Sequence, residues 1–154
     1  MRKLPKNNKI FMNIALEVAK MSKCVSFNVG CIIVNDGRIL SIGYNGTPQG
    51  YLNCSEKFPK YDSTINRDEH HAFSLKYEIH AEMNALLHAA KIGISINESD
   101  MYVTHQPCEQ CLKNILASGV KTIYYKYEYD KVSGDKELLK FAAESGISII
   151  QIKD

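Results

Sequence analysis

Two short stretches, His80-Ala81-Glu82 and Pro107-Cys108-Glu109-Gln110-Cys111, constrain this chain more than any other part of it. Each opens a run of strong helix formers that ends at a glycine. The first is HAEMNALLHAAKI (80–92), stopped by Gly93, and the second is CEQCLKNILAS (108–118), stopped by Gly119. Pro107 suits a helix start, because its missing N–H would have had no partner there. Cys108 and Cys111 stand at i and i+3, on one face of a first turn, where the positive end of the helix dipole favours thiolates. One imidazole and two thiolates are the protein ligands of a zinc that keeps its fourth position for water, whereas a structural zinc wants a fourth protein ligand. Glu82 lies too near His80 in sequence to be a comfortable fourth ligand, and is well placed to move the protons of such a water. A fold that uses these residues together must bring two helix N-termini to one point.

The flanking pattern supplies such a fold. Residues 8–21 carry Ile10, Ile14, Ala15 and Val18 on one helical stripe. The β-branched runs VGCIIV (29–34) and RILSIGY (38–44) are joined by Asn35-Asp36-Gly37, a hairpin signal. Strands MYVTH (101–105), KTIYYK (121–126) and ISIIQI (147–152) then alternate with the helix at 108–118 and a further one, KELLKFAAES (136–145), ended by Gly146. The order predicts an α/β fold, a mixed sheet with helices on both faces. At 154 residues and 45% hydrophobic, a single domain over 1–154 is expected. There is no apolar run of about eighteen residues, and the opening MRKLPKNNKIFMNIALEVAK lacks the apolar core and cleavage site of a signal peptide, so a cytoplasmic protein is expected. Basic and acidic residues, 19 and 17 of them, are interspersed, which gives no support to a nucleic-acid or membrane partner.

Residues 45–77 show no periodicity and are too long for an idle connection, so they are expected to be functional or anchored. Of the five cysteines, Cys31 sits inside an apolar run and reads as a small buried hydrophobe. Cys24 and Cys54 sit in polar, irregular surroundings where a thiol has no packing reason to be. A closed four-ligand zinc there would supply the missing anchor. The loop before the first strand offers Lys23, Ser26 and Asn28 as phosphate donors, with a plain solvated loop as the competing reading. Glycines at 43 and 46 would let backbone N–H groups approach a phosphate, against the alternative of a simple turn.

H-x-E followed by P-C-x-x-C is the established signature of the zinc deaminases. With VGCIIV, GYNGTPQG (43–50), EIHAEMNAL, MYVT, PCEQC and YDK (129–131) in this order, nearly the whole chain resembles the cytidine deaminase superfamily. GYNG-x-P places the resemblance within it, with the deoxycytidylate (dCMP) deaminases. The resemblance implies a three-layer α/β/α fold with a mixed five-stranded sheet. It implies hydrolysis of dCMP to dUMP and ammonia, toward dTMP synthesis, with Zn2+ on His80, Cys108 and Cys111 and Glu82 as proton shuttle. Asn45 corresponds to an asparagine that binds the sugar hydroxyl, and Tyr129 to an aromatic residue near the nucleotide. Some members carry a second, structural Zn2+, which here would fall on Cys24, Cys54, His70 and Glu78, with His71 as the rival of His70. Relatives of this type are homohexamers activated by dCTP with Mg2+ and inhibited by dTTP, and Gly43, Tyr44, Asn45 and Gly46 would form the effector loop. His88 is expected at an interface or partly buried, and His105, close to the Pro-Cys motif, could line the nucleotide pocket but has no assigned role. The competing readings are a deaminase for free cytidine or tRNA adenosine, and a non-catalytic zinc-stabilised nucleotide-binding module.

Overall fold

Asp36 and Gly37, at φ 48° and 73°, reverse the chain between β1 (Gly30–Asn35) and β2 (Arg38–Tyr44), as the Asn-Asp-Gly signal predicts. The computed structural model describes residues 7–154. Around the hairpin stand α1 (Asn8–Ala19), α2 (Cys54–Lys57), α3 (Arg67–Tyr77), α4 (Ala81–Ile92), β3 (Asp100–His105), α5 (Glu109–Ala117), β4 (Thr122–Tyr127), α6 (Asp130–Ser133), α7 (Lys136–Glu144) and β5 (Ser148–Gln151). The strands form one five-stranded sheet in the order β2-β1-β3-β4-β5. β1 is antiparallel to both its neighbours, while β3, β4 and β5 are parallel, so the sheet is mixed and has helices on both faces. This is the expected three-layer α/β/α arrangement.

Strand alternation divides the core between the two faces. Cys31, Ile33, Met101, Val103 and Ile123 pack against Ala81 and Ala85 of α4, Leu112 and Ile115 of α5 and Ala142 of α7. Ile32, Val34, Tyr102 and Tyr124 face the other way and meet Met12, Ala15 and Val18 of α1. Cys31 is the buried hydrophobe its sequence position predicts, at 0% exposure.

Two glycines set how closely helices approach the hairpin. A Cβ at Gly30 would stand 2.1 Å from the Ala15 carbonyl oxygen, and one at Gly43 would stand 2.3 Å from that of Ala81. Gly43 therefore serves β2–α4 packing. Gly46, by contrast, has nothing within 4 Å of an added Cβ.

The segment 45–77, which shows no period, contains α2 and α3. Their apolar residues do not form a stripe against the sheet. Asn53 and Glu56 make a reciprocal capping box at the start of α2, and Cys54, Phe58 and Phe73 form a small separate core with Val25, Tyr61 and Tyr77 beside it. Both ends of the segment are pinned, since Gly46 and Ile79 form an isolated antiparallel bridge with hydrogen bonds of 3.1 and 2.8 Å. Among the described residues no helix is long and apolar enough to cross a membrane.

Candidate metal centres and active-site cavity

His80 is the N-cap of α4 and Cys108 the N-cap of α5, so both residues stand where helix dipoles are positive. Packing of α4 and α5 on the same sheet face brings the two termini together, as the sequence demands. His80 Nδ1 lies 3.4 Å from Cys108 Sγ and 3.4 Å from Cys111 Sγ. A tetrahedral zinc with ordinary Zn–N and Zn–S bonds needs N···S edges of roughly 3.6 Å, so these residues fit that ion closely. Cys111 is buried beneath the site and Cys108 is partly exposed.

The electrostatics agree with a poised thiolate site. The hydrogen bond from Cys111 holds the Cys108 thiol down to about 4, with His80 adding to the effect and burial opposing it. The same hydrogen bond, followed by burial, pushes Cys111 up, so without metal the pair shares a proton. Contact with Cys108 raises the His80 imidazole. Glu82, 4% exposed, is pushed up to about 7 by burial, against the pull of its own backbone N–H and of His80. A carboxyl that exchanges its proton near neutral pH is suited to general acid and base work.

A second cluster lies a few residues upstream. Ligand atoms of Cys24, Cys54, His70 and Glu78 all fall within 4.8 Å of one another. His70 Nε2 is 3.5 Å from Cys24 Sγ, and the Cys24 thiol donates to Glu78 Oε2 at 3.6 Å. Phe58 and Tyr61 fence the His70 ring, with centroids at 5.5 and 5.2 Å. His71 is exposed and belongs to no such cluster among the described residues, so geometry separates the two neighbours in favour of His70. Burial raises Cys54 to about 12 and also raises Cys24, and the N–H groups of Phe27 and Ser26 are aimed at the Cys24 sulfur. Glu78 Oε1 is buried without a hydrogen-bond partner among the described residues. Two desolvated thiols, an imidazole and an unsatisfied carboxylate oxygen fit a closed zinc site.

A cavity of about 720 Å³ opens over the first cluster, and Glu82, His80 and Cys108 are in its wall. Ser26, Asn45 and Tyr129 line it as well. Lys23 and Asn28 do not line it and are exposed, so they are withdrawn as phosphate donors: the chain turns them to solvent. The Asn45 side chain accepts from Val29 N at 2.8 Å and donates to Phe27 O at 2.7 Å, which ties the loop before β1 to the end of β2. Each end of that amide keeps one further bond for a ligand. Arg67 and Lys131 also reach the cavity. Neither was singled out in the sequence. Lys131 lies in the quoted YDK, but only α6 shows that it faces the site, and Arg67 depends on the unforeseen α3. His88 is exposed on α4 and not partly buried, and His105 is in the cavity wall.

Residues 5–127 match the family model described as the cytidine and deoxycytidylate deaminase zinc-binding region. The chain belongs to this deaminase family. Within it, the chain is 38% identical over 149 residues to the deoxycytidylate deaminase of Enterobacteria phage T4, covering 78% of this chain and 77% of that one. It is 35% identical over 146 residues to ComE operon protein 2 of Bacillus subtilis, covering 95% of this chain and 71% of that one. Among solved structures, the dCMP deaminase of cyanophage S-TIM5 in complex with dCMP and dUMP superposes with a TM-score of 0.76 at 31% identity, over 98% of this chain and 100% of that one.

Proposed function

We propose that this deaminase converts dCMP to dUMP and ammonia, using His80, Cys108 and Cys111 as the catalytic zinc ligands and Glu82 as the proton shuttle. The observation that carries the reading is one cavity, lined by His80 and Cys108 of the ligand cluster, the buried Glu82 carboxyl and two cations, Arg67 and Lys131, with Cys111 buried beneath it. The nucleotides bound to the S-TIM5 relative support it.

When bound, zinc supplies Lewis acidity that lets water act as a nucleophile at neutral pH. Glu82 takes a proton from the attacking water and delivers it to N3 of the cytosine ring, which makes C4 electrophilic, then passes the water's second proton to the amine as the C4–N bond breaks and ammonia leaves. Burial keeps this carboxyl where it can both take and give that proton near pH 7. Arg67 and Lys131 offer the charge that distinguishes a nucleotide from a nucleoside, and Ser26, Asn45 and Tyr129 shape the rest of the site. Cys24, Cys54, His70 and Glu78 hold a second zinc that anchors α2 and α3, where core contacts are few.

The same reading includes a homohexamer activated by dCTP with Mg2+ and inhibited by dTTP. Leu87 and Ile92 on α4 and Ile39 and Ile42 on β2 are exposed apolar side chains available for contact between copies. Gly43, Tyr44, Asn45 and Gly46 are the effector-loop candidates. A sigmoidal dCMP curve that becomes hyperbolic with dCTP and Mg2+ supports this regulation, and indifference to both effectors removes it without touching the chemistry.

The deciding assay measures ammonia release from dCMP, CMP, deoxycytidine and dCTP side by side. Preference for dCMP is the expected result, and equal or better use of deoxycytidine refutes the substrate assignment. Glu82→Gln is expected to abolish turnover with zinc still bound. Absence of turnover in the wild-type zinc protein would make the chain a non-catalytic module.

A further inference from the structure

His105 lies in the cavity wall, yet the chemistry above gives it no task. Its ring packs against Phe27 at 4.4 Å and Tyr127 at 5.1 Å between centroids, which fixes its plane. Its Nδ1 lies 2.9 Å from the hydroxyl oxygen of Thr104. Thr104 is 1% exposed and already accepts a hydrogen bond from Gly30 N at 3.2 Å.

These contacts decide which ring nitrogen carries the proton. The buried Thr104 hydroxyl has one hydrogen to place, and among the described residues His105 Nδ1 is the acceptor within its reach. If Nδ1 were protonated, the hydroxyl oxygen would accept twice and leave its own hydrogen buried without a partner, which costs about 1–3 kcal/mol. Nδ1 is therefore the acceptor, and a neutral ring must carry its hydrogen on Nε2. Half-burial, which lowers the His105 pKa, keeps the ring neutral at pH 7. No partner for Nε2 is found among the described residues. One residue further on, Gln106 is 6% exposed, also lines the cavity, and its Oε1 is buried with no partner among the described residues. This part of the wall thus offers one donor and one acceptor that the fold itself leaves unused.

We infer that His105 is a substrate-positioning residue, donating an Nε2–H hydrogen bond to an oxygen of the bound nucleotide in a tautomer fixed by the chain Gly30 N–H to Thr104 hydroxyl to His105 Nδ1. The inference rests on the cavity being the nucleotide site. The bond is made equally in the ground and transition states, so its loss raises KM and spares kcat.

The test uses the zinc-loaded protein with dCMP as substrate. His105→Phe keeps a ring between Phe27 and Tyr127 but removes the donor, and it should raise KM about tenfold with kcat changed by less than about threefold. Thr104→Val, which frees the tautomer, should raise KM in the same sense, and Thr104→Ser should recover most of that loss. The double variant His105→Phe/Thr104→Val should be no worse than His105→Phe alone, since the hydroxyl acts through the ring. An unchanged KM in His105→Phe overturns the inference, as does full additivity in the double variant. Melting temperatures of the four proteins show whether a variant has lost its fold, and Thr104→Ser keeps the test open if Thr104→Val does not fold. Failure of the wild-type protein to deaminate dCMP would instead sink the functional reading.

Discussion

Replacing Gly43 by alanine places a methyl carbon 2.3 Å from the Ala81 carbonyl oxygen and 2.4 Å from the Ala85 nitrogen. Both partners belong to the backbone of α4, so no side chain can swing aside. Ordinary contact begins near 3.4 Å, and β2 and α4 must separate by about 1 Å to reach it. Overpacking of this kind costs about 1–3 kcal/mol, and a rigid partner places Gly43→Ala at or above the upper figure. The separation also carries the first turn of α4, with Glu82, away from Cys108 and Cys111. A misplacement of about 1 Å at reacting groups costs on the order of a hundredfold in rate. Urea denaturation and kcat/KM for dCMP measure the two losses on one sample. Gly46→Ala is the control, since it meets nothing within 4 Å, and it should change stability by less than about 0.5 kcal/mol. If Gly43→Ala falls within that same margin and keeps more than about half of wild-type kcat/KM, the close approach of strand and helix does not position the site.

Cys54→Ser should halve the zinc bound per chain and lower the unfolding midpoint while leaving some dCMP deamination, and an unchanged metal content by mass spectrometry would remove the second centre. In chelated, metal-free protein, Glu82 has a folded-state pKa of about 7 against an ordinary 4.5, so the folded state binds its proton more tightly than the unfolded chain does. Stability from this group is therefore complete below about pH 4.5 and is lost as pH rises through 7, by on the order of 3 kcal/mol; Glu82→Gln should flatten that decline in pH-dependent denaturation.

The parts of the molecule that could be read from sequence are those where local chemistry and global placement agree. Asn35-Asp36-Gly37 demands positive φ and receives it at Asp36 and Gly37. His80 and Cys108 open helix-former runs and become N-caps, so the convergence of α4 and α5 follows from the pattern itself. The helices α2 and α3 were hidden because they are held by a capping box and a local cluster around Cys54, Phe58 and Phe73, which leave no stripe of their own. His70 and His71 could not be separated by spacing alone, since only the helical phase of α3 turns one toward Cys24 and the other outward. The packing role of Gly43 is hidden for a related reason: a glycine needed for close approach looks like any turn glycine until the facing helix is in place. Arg67, Lys131 and the Thr104–His105 contact depend on which surfaces face the cavity, and no periodicity encodes that.

The bridge between Gly46 and Ile79 has a consequence for how such a chain can be cut and rejoined. Because its two residues are hydrogen-bonded neighbours, everything from 47 to 78 leaves and re-enters the fold at nearly one point. A tight turn could close that gap without moving the end of β2 or the start of α4. The segment is thus a detachable module: a minimal version lacking it would give up Cys54, His70, Glu78 and the outer wall with Arg67, yet keep His80, Glu82, Cys108 and Cys111 in register on the sheet. Conversely, the same two residues mark a splice point at which foreign loops could be grafted beside the reacting centre to change what the outer wall admits.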